Sequence, residues 1–239
     1  MTRSLLLPLL LVAGCADNTG DGSLRVIRNQ VIEGESCVVS STLTTTGRSG
    51  GAIEVTSPVD YVLTPVVQNF ATSSGGKLTA QRTAFLEGAR IDLSFAKADL
   101  FTDAELAELT TAGLTKFASP FSAAVSPDGG SSGVGFSVVP AELLTRMRAK
   151  LATVGSTVVN VRLTVYGSMG GGDVESEPFF YPVTVCDHNV APCVIGSTFT
   201  CGATGVDVRK GNACNPFQDG PVDCCTSAGT LYCPGMAGT

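Results

Sequence analysis

The sequence predicts an all-β fold, an antiparallel sandwich with two short inserted helices and a disulfide-rich C-terminal tail. Three observations carry this. Apolar and polar residues alternate with period two through most of the stretch from Val26 to Cys186, the mark of strands with one buried face. The alternating runs are short, rich in Val and Thr, and punctuated by Gly and Ser clusters, a spacing that favours a sandwich over a barrel. Past Cys186 the alternation ends, and cysteines crowd among Gly, Pro, Asn and Asp.

From the N-terminus, Arg3 precedes an apolar run from Leu5 to Val12, too short to span a bilayer and about the length of a signal-peptide hydrophobic region. The run ends in Leu11-Val12-Ala13-Gly14-Cys15, which resembles the lipobox of bacterial lipoproteins. That resemblance implies removal of residues 1–14, diacylation of the Cys15 thiol with palmitate-class chains, and frequent acylation of the new amino group. Each buried methylene contributes about 0.8 kcal/mol, so two or three chains hold a protein on a membrane where one would not. In Gram-negative lipoproteins an Asp directly after the modified cysteine favours the inner membrane. Here Ala16 follows Cys15, so the resemblance points to the outer membrane.

Residues 15–25 read as a lipidated tether, since Ala16 to Leu24 are mostly small and polar. Asp17, Thr19, Asp21 and Gly22 match the start of an EF-hand loop, but Arg28 stands where the bidentate Glu would be needed. The sandwich domain is expected over residues 26–186. Its clearest strand alternates Val159, Val161, Leu163 and Val165 with Asn160, Arg162, Thr164 and Tyr166. Ile91, Leu93 and Phe95 alternate in the same way, as do Val134, Phe136 and Val138. Further strands are expected at Cys37–Thr42, Ala52–Thr56, Tyr61–Phe70, Leu78–Leu86 and Phe179–Cys186.

Two helices interrupt the pattern. Thr102-Asp103-Ala104-Glu105 is a capping-box sequence, with Gly113 placed to end its helix. Pro140 suits a first helical position, Leu143, Leu144, Met147 and Leu151 share one face, and Gly155 closes the second helix. Tyr166 to Cys186 reads as a strand, a Gly-rich loop and a returning strand, and looks like the closing hairpin of an immunoglobulin-like domain. The stretch also resembles uncharacterised predicted bacterial lipoproteins in which such a hairpin leads into a Cys-rich tail, a likeness that brings no activity and no site residues. Gly170–Gly172 lack the following helix and the Lys-Ser/Thr pair of a phosphate loop, so they read as a hairpin tip.

The tail, residues 187–239, is too short to bury a sufficient core, and cross-links replace packing. Of nine cysteines, Cys15 is assigned to lipid. Cys37, Cys186, Cys193, Cys201, Cys214, Cys224, Cys225 and Cys233 remain, an even set that in an exported chain reads as disulfides. Zinc fits poorly, because the spacings are irregular and the chain has one histidine. Adjacent Cys224 and Cys225 are expected to bond to different partners. If the six tail cysteines pair among themselves, Cys37 is left with Cys186, closing a loop around the domain. The competing arrangement joins Cys186 to Cys193 and sends Cys37 into the tail.

Removing residues 1–14 takes Arg3 from 15 basic residues against 21 acidic ones, leaving a net charge near −7. No basic cluster exists to neutralise phosphates, so nucleic acid is not an expected partner. Nothing after Val12 is apolar for long enough to span a membrane as a helix.

No catalytic constellation emerges. His188, beside Asp187, has no serine in a G-x-S-x-G elbow to serve. Ser74–Lys77 and Ser94–Lys97 fit S-x-x-K, but neither is followed by the S-D-N or K-T-G motifs that complete a β-lactamase-type site. Glu175 and Glu177 would share a strand face ~7 Å apart, yet no Trp supplies a sugar platform. The expectation is a non-enzymatic, lipid-anchored envelope protein that contacts another envelope protein or a surface polymer. It needs no cofactor beyond the lipid on Cys15. An envelope hydrolase with a site near His188 is the alternative. An exposed apolar sheet face would favour binding, and a concave pocket containing His188 with carboxylates would favour the enzyme.

Overall fold

The computed structural model describes residues 22–32, 37–43, 46–73, 79–191, 193–205, 208–212 and 214–233. The expected signal segment, Cys15 and most of the tether lie outside them. In chain order the elements are β1 (Leu24–Gln30), β2 (Gly47–Arg48), β3 (Gly51–Glu54), β4 (Tyr61–Leu63), β5 (Pro65–Asn69), α1 (Thr79–Arg82) and β6 (Ala84–Phe95). There follow α2 (Asp103–Thr111), β7 (Lys116–Val125), β8 (Ser131–Gly133), β9 (Phe136–Val139), α3 (Ala141–Val154) and β10 (Ser156–Met169). The chain then runs through β11 (Gly172–Glu175), β12 (Phe179–Cys186), β13 (Ile195–Thr200), β14 (Val222–Ser227) and β15 (Thr230–Tyr232).

The fold is all-β and sandwich-like. Its largest sheet has the order β3-β12-β10-β6-β7, with β11 continuing along β10 beyond β12. All its pairings are antiparallel except β3 with β12. A second sheet, β2-β1-β5-β8, and the β4–β9 pair supply the facing layer. The inward residues of the large sheet, among them Leu93, Val161, Leu163 and Val183, share one continuous core with Leu24 and Val67 of the second sheet, Tyr61, Leu63, Phe136 and Val139 of the pair, and the α3 stripe. Period-two alternation therefore decides which face of β10 is buried, as its sequence predicts.

Both expected helices form. At α2 the capping box is complete, with Thr102 accepting from the Glu105 amide and the Glu105 carboxylate accepting from the Thr102 amide at 2.8 Å. In α3, Leu143, Leu144, Met147 and Leu151 are fully buried. Pro140 is the residue before its first turn rather than within it. The free amide of Ala141 is instead capped at 2.8 Å by Asp60, whose other oxygen accepts from Ser137. Gly155, at φ 79°, ends the helix, and a Cβ there would meet Ala191 at 2.7 Å.

Four expectations are corrected. A third helix, the single turn α1, occupies part of Leu78–Leu86: Thr83 returns its amide and hydroxyl to the Thr79 carbonyl, and the strand starts only at Ala84. Cys37–Thr42 forms no strand, because Cys37 sits at φ 52° and is tied away to the tail. Tyr61–Phe70 breaks at Thr64 into β4 and β5, which join different sheets. Leu24, expected in the tether, is fully buried as the first residue of β1.

The Cys37–Cys186 pairing does not form, and the competing arrangement does. Cys37 bonds to Cys214 and Cys186 to Cys193, leaving Cys201–Cys225 and Cys224–Cys233 within the tail. Cys186 ends β12 and Cys193 follows seven residues later, whereas Cys37 is held against Cys214 of the tail. The adjacent Cys224 and Cys225 have different partners, as expected.

The tail folds against the sandwich rather than hanging from it. Its three strands, in the order β13-β14-β15, enclose a small cluster of Val194, Phe217, Val222 and Cys224. Gln218 clamps Val62 twice, accepting from its amide at 2.8 Å and donating to its carbonyl at 2.9 Å. Asp219 accepts from the Ala52 amide at 2.9 Å and from the Tyr61 hydroxyl at 2.8 Å. Behind Tyr61 the network continues to Tyr181, which accepts from the Asn29 side chain at 3.1 Å. Burial raises the Asp219 pKa, opposed by these donors and by Arg48 at 3.6 Å.

Candidate functional site

The outward face of the large sheet is built by the same alternation that fills the core. Register places Phe180 of β12, Arg162 of β10, Asp92 of β6 and Lys116 of β7 in one row across four strands. The next row is Thr164, Arg90 and Ala118, and Tyr166 lies beyond it opposite Glu175 of β11. Arg90, Asp92, Lys116, Arg162, Thr164 and Glu175 line an open groove of about 450 Å³ on this face, with Phe180 and Tyr166 outside its lining.

The charges in the groove are mostly matched across strands. Lys116 reaches Asp92 at 3.2 Å, and Arg90 pairs with Glu175 while its guanidinium lies 4.7 Å from the centre of the Tyr166 ring. Solvent-exposed pairs of this kind are worth roughly 0–1 kcal/mol, so an incoming ligand can exchange partners with them at small cost. Arg162 is different. Its exposed side chain makes no ion pair and no hydrogen bond among the described residues, and its cross-strand neighbour Phe180 is 67% exposed. A five-donor fork beside an uncovered aromatic ring is the arrangement that recognises a planar or anionic group against an apolar surface.

His188 occupies the opposite kind of place. Its side chain is only 3% exposed, and Glu54, fully buried at the end of β3, accepts from the His188 amide at 3.0 Å. The ring Nδ1 lies 3.3 Å from the same Glu54 oxygen. Burial raises the Glu54 pKa, with the His188 contacts opposing. A closed Glu–His pair holds the chain where it leaves β12, and in this conformation it offers no surface to a substrate.

Of the other residues singled out by sequence, Glu175 ends β11 while Glu177 lies in the break before β12, so the two do not share a strand face. Glycines 170 and 171, at φ 62° and 84°, form the tip between β10 and β11 as expected. Ser94 is an outward residue of β6, and Ser74 and Lys77 lie outside the described residues. Sequence reasoning identified the polar face of β10, including Arg162, but found no β7 and therefore not Lys116. The signal available was Lys116 itself, a charged first residue leading a run in which Phe117 and Phe121 are both partly buried.

A scan of protein-family models matches none to this chain, and a search of the curated proteins finds none similar to it. Among the described residues no helix is long and apolar enough to cross a membrane.

Proposed function

We propose that this chain is a non-enzymatic, lipid-anchored protein of the bacterial cell envelope, more at home on the outer than the inner membrane, and that the outward face of its large sheet binds another envelope protein or a surface polymer. The observation that carries the reading is Arg162, which lines an open groove without an ion pair or hydrogen bond among the described residues and has exposed Phe180 as its cross-strand neighbour. The anchor rests on the resemblance of Leu11–Cys15 to a lipobox. The four disulfides suit an oxidising compartment outside the cytoplasm.

Two experiments test the two halves separately. For the anchor, Cys15→Ser should abolish palmitate incorporation and leave an unprocessed or soluble form, and label still entering that variant would overturn it. For the face, the folded chain should bind isolated envelope fractions, with Arg162→Glu and Phe180→Ala each weakening binding at least tenfold. Arg146→Glu, on exposed α3 surface, serves as the control. Equal loss in the control, or none in the face variants, would locate binding elsewhere. The hydrolase alternative has less behind it, since it requires the buried His188 ring to open to solvent.

A further inference from the structure

Glu54 and Cys186 are register partners at the ends of parallel strands β3 and β12, which brings a carboxylate and a sulfur together in the interior. Glu54 Oε2 is satisfied by the His188 amide, with the imidazole Nδ1 beside it. Glu54 Oε1 instead faces Cys186 Sγ at 3.2 Å. In the Cys186–Cys193 disulfide that sulfur carries no hydrogen, so a fully buried carboxylate oxygen points at an atom that donates nothing to it. Ligand atoms from Glu54, Cys186 and Cys193 all lie within 4.8 Å of one another. Cys193 is exposed and lines a cleft of about 350 Å³ between sandwich and tail, so solvent and small solutes reach this end of the cluster, while Glu54 and Cys186 lie buried behind it.

We infer that, with the Cys186–Cys193 bond opened, this cluster is a binding site for a zinc-class divalent cation, with Cys186, Cys193 and Glu54 as ligands and His188 as the positioning residue that holds the carboxylate. Two thiolates and a carboxylate form a mixed soft and hard donor set that suits zinc and disfavours calcium or magnesium, which take oxygen ligands. A fourth coordination position is left to water. The disulfide and the metal are then alternative closures of the same loop. Opening it with a phosphine transfers two electrons to the S–S bond. Two protons complete the thiols, and the phosphine becomes its oxide with oxygen taken from water. Metal binding then releases both thiol protons as the two sulfur–metal bonds form.

The probe is Co²⁺ added to the full chain after limiting phosphine reduction, with the opened cysteines identified by peptide mapping. The expected result is one equivalent bound with a thiolate-to-cobalt charge-transfer band that Zn²⁺ bleaches, and selective protection of Cys186 and Cys193 from alkylation by Zn²⁺. The Cys186→Ala/Cys193→Ala variant keeps the other six cysteines of the described residues and should lose the band. A band of full strength there, or protection falling on tail cysteines, overturns the inference. Glu54→Gln retains every cysteine and covers the case in which the double variant does not fold. Its Co²⁺ affinity should fall at least tenfold with the charge-transfer band still present at saturation, and an unchanged affinity overturns the assignment. His188→Asn should weaken binding roughly tenfold without shifting the band, as loss of a positioning group does.

Discussion

At the scale of single residues, the seam between sandwich and tail depends on one missing side chain. A Cβ on Gly51 would fall 1.9 Å from the Tyr61 hydroxyl and 2.9 Å from its ring edge. Only glycine lets that ring pass β3 and reach Asp219. Gly51→Ala should therefore displace Tyr61, break its bond to Asp219 and destabilise the fold by about 2 kcal/mol, in the range of overpacked cores, as read by urea denaturation. Asp219 itself sets a pH dependence. Its folded pKa is raised above the unfolded value, so it binds more protons in the folded state. Its contribution is fully present below the ordinary Asp range near 4 and is lost as pH rises through the raised value. Denaturation of Asp219→Asn from pH 4 to 7 should show that component of the slope removed relative to wild type. Identical slopes would mean the carboxyl titrates normally.

At the scale of elements, α2 is a test of local chemistry. Its capping box satisfies amides that the first turn leaves free, so Thr102→Ala should cost about 1 kcal/mol. Glu105 also accepts from Lys150 of α3 at 2.7 Å, and that bond, followed by the Thr102 amide, lowers its pKa to about 2. A lowered pKa means the contribution is present above the ordinary Glu value near 4.3 and fades as pH falls toward 2, so wild type and Glu105→Gln should converge in thermal melts at acid pH. This helix was readable because its signals lie within four consecutive residues. Strand β10 was readable because large apolar residues recur at every second position. Strand β7 was not: its inward positions include Ser119 and Ala123, and Pro120 stands mid-strand. Proline is tolerated there because β7 is an edge and Pro120 falls at the register shift opposite Gly88. One wall of the proposed binding face was hidden with it, since Lys116 belongs to the row only once β7 pairs with β6. The Glu54–His188 contact was equally out of reach, because it joins residues 134 apart through the parallel β3–β12 pairing.

At the scale of the whole molecule, the disulfides divide by the length of chain they close. Cys37–Cys214 spans 177 residues and Cys186–Cys193 spans 7. In the chain-entropy model the first restrains the unfolded state by about 5 kcal/mol and the second by about 2.5 kcal/mol. Paired Cys→Ala replacement should therefore lower stability more for Cys37 and Cys214 than for Cys186 and Cys193. An equal or reversed ranking would show native-state packing around Cys186 outweighing chain entropy. Sequence could not choose between the pairings because both follow from an even cysteine count. The choice lies in tertiary placement, with Cys193 beside the end of β12 and the Cys214 loop brought beside Cys37 by the tail's hold on Val62 and Ala52.

The Cys37–Cys214 bond also changes what a protease can accomplish. Nearly every exposed turn of the sandwich, including the tip at Gly170 and Gly171, lies inside the ring it closes. A single cut within that ring opens it without separating the pieces. Partial digestion should give one band on a non-reducing gel and two fragments only after reduction. The end nearest the proposed anchor and the distal tail thus stay covalently one molecule after any single cut within the ring, and only a cut ahead of Cys37, in the short stretch outside it, would part them in one step.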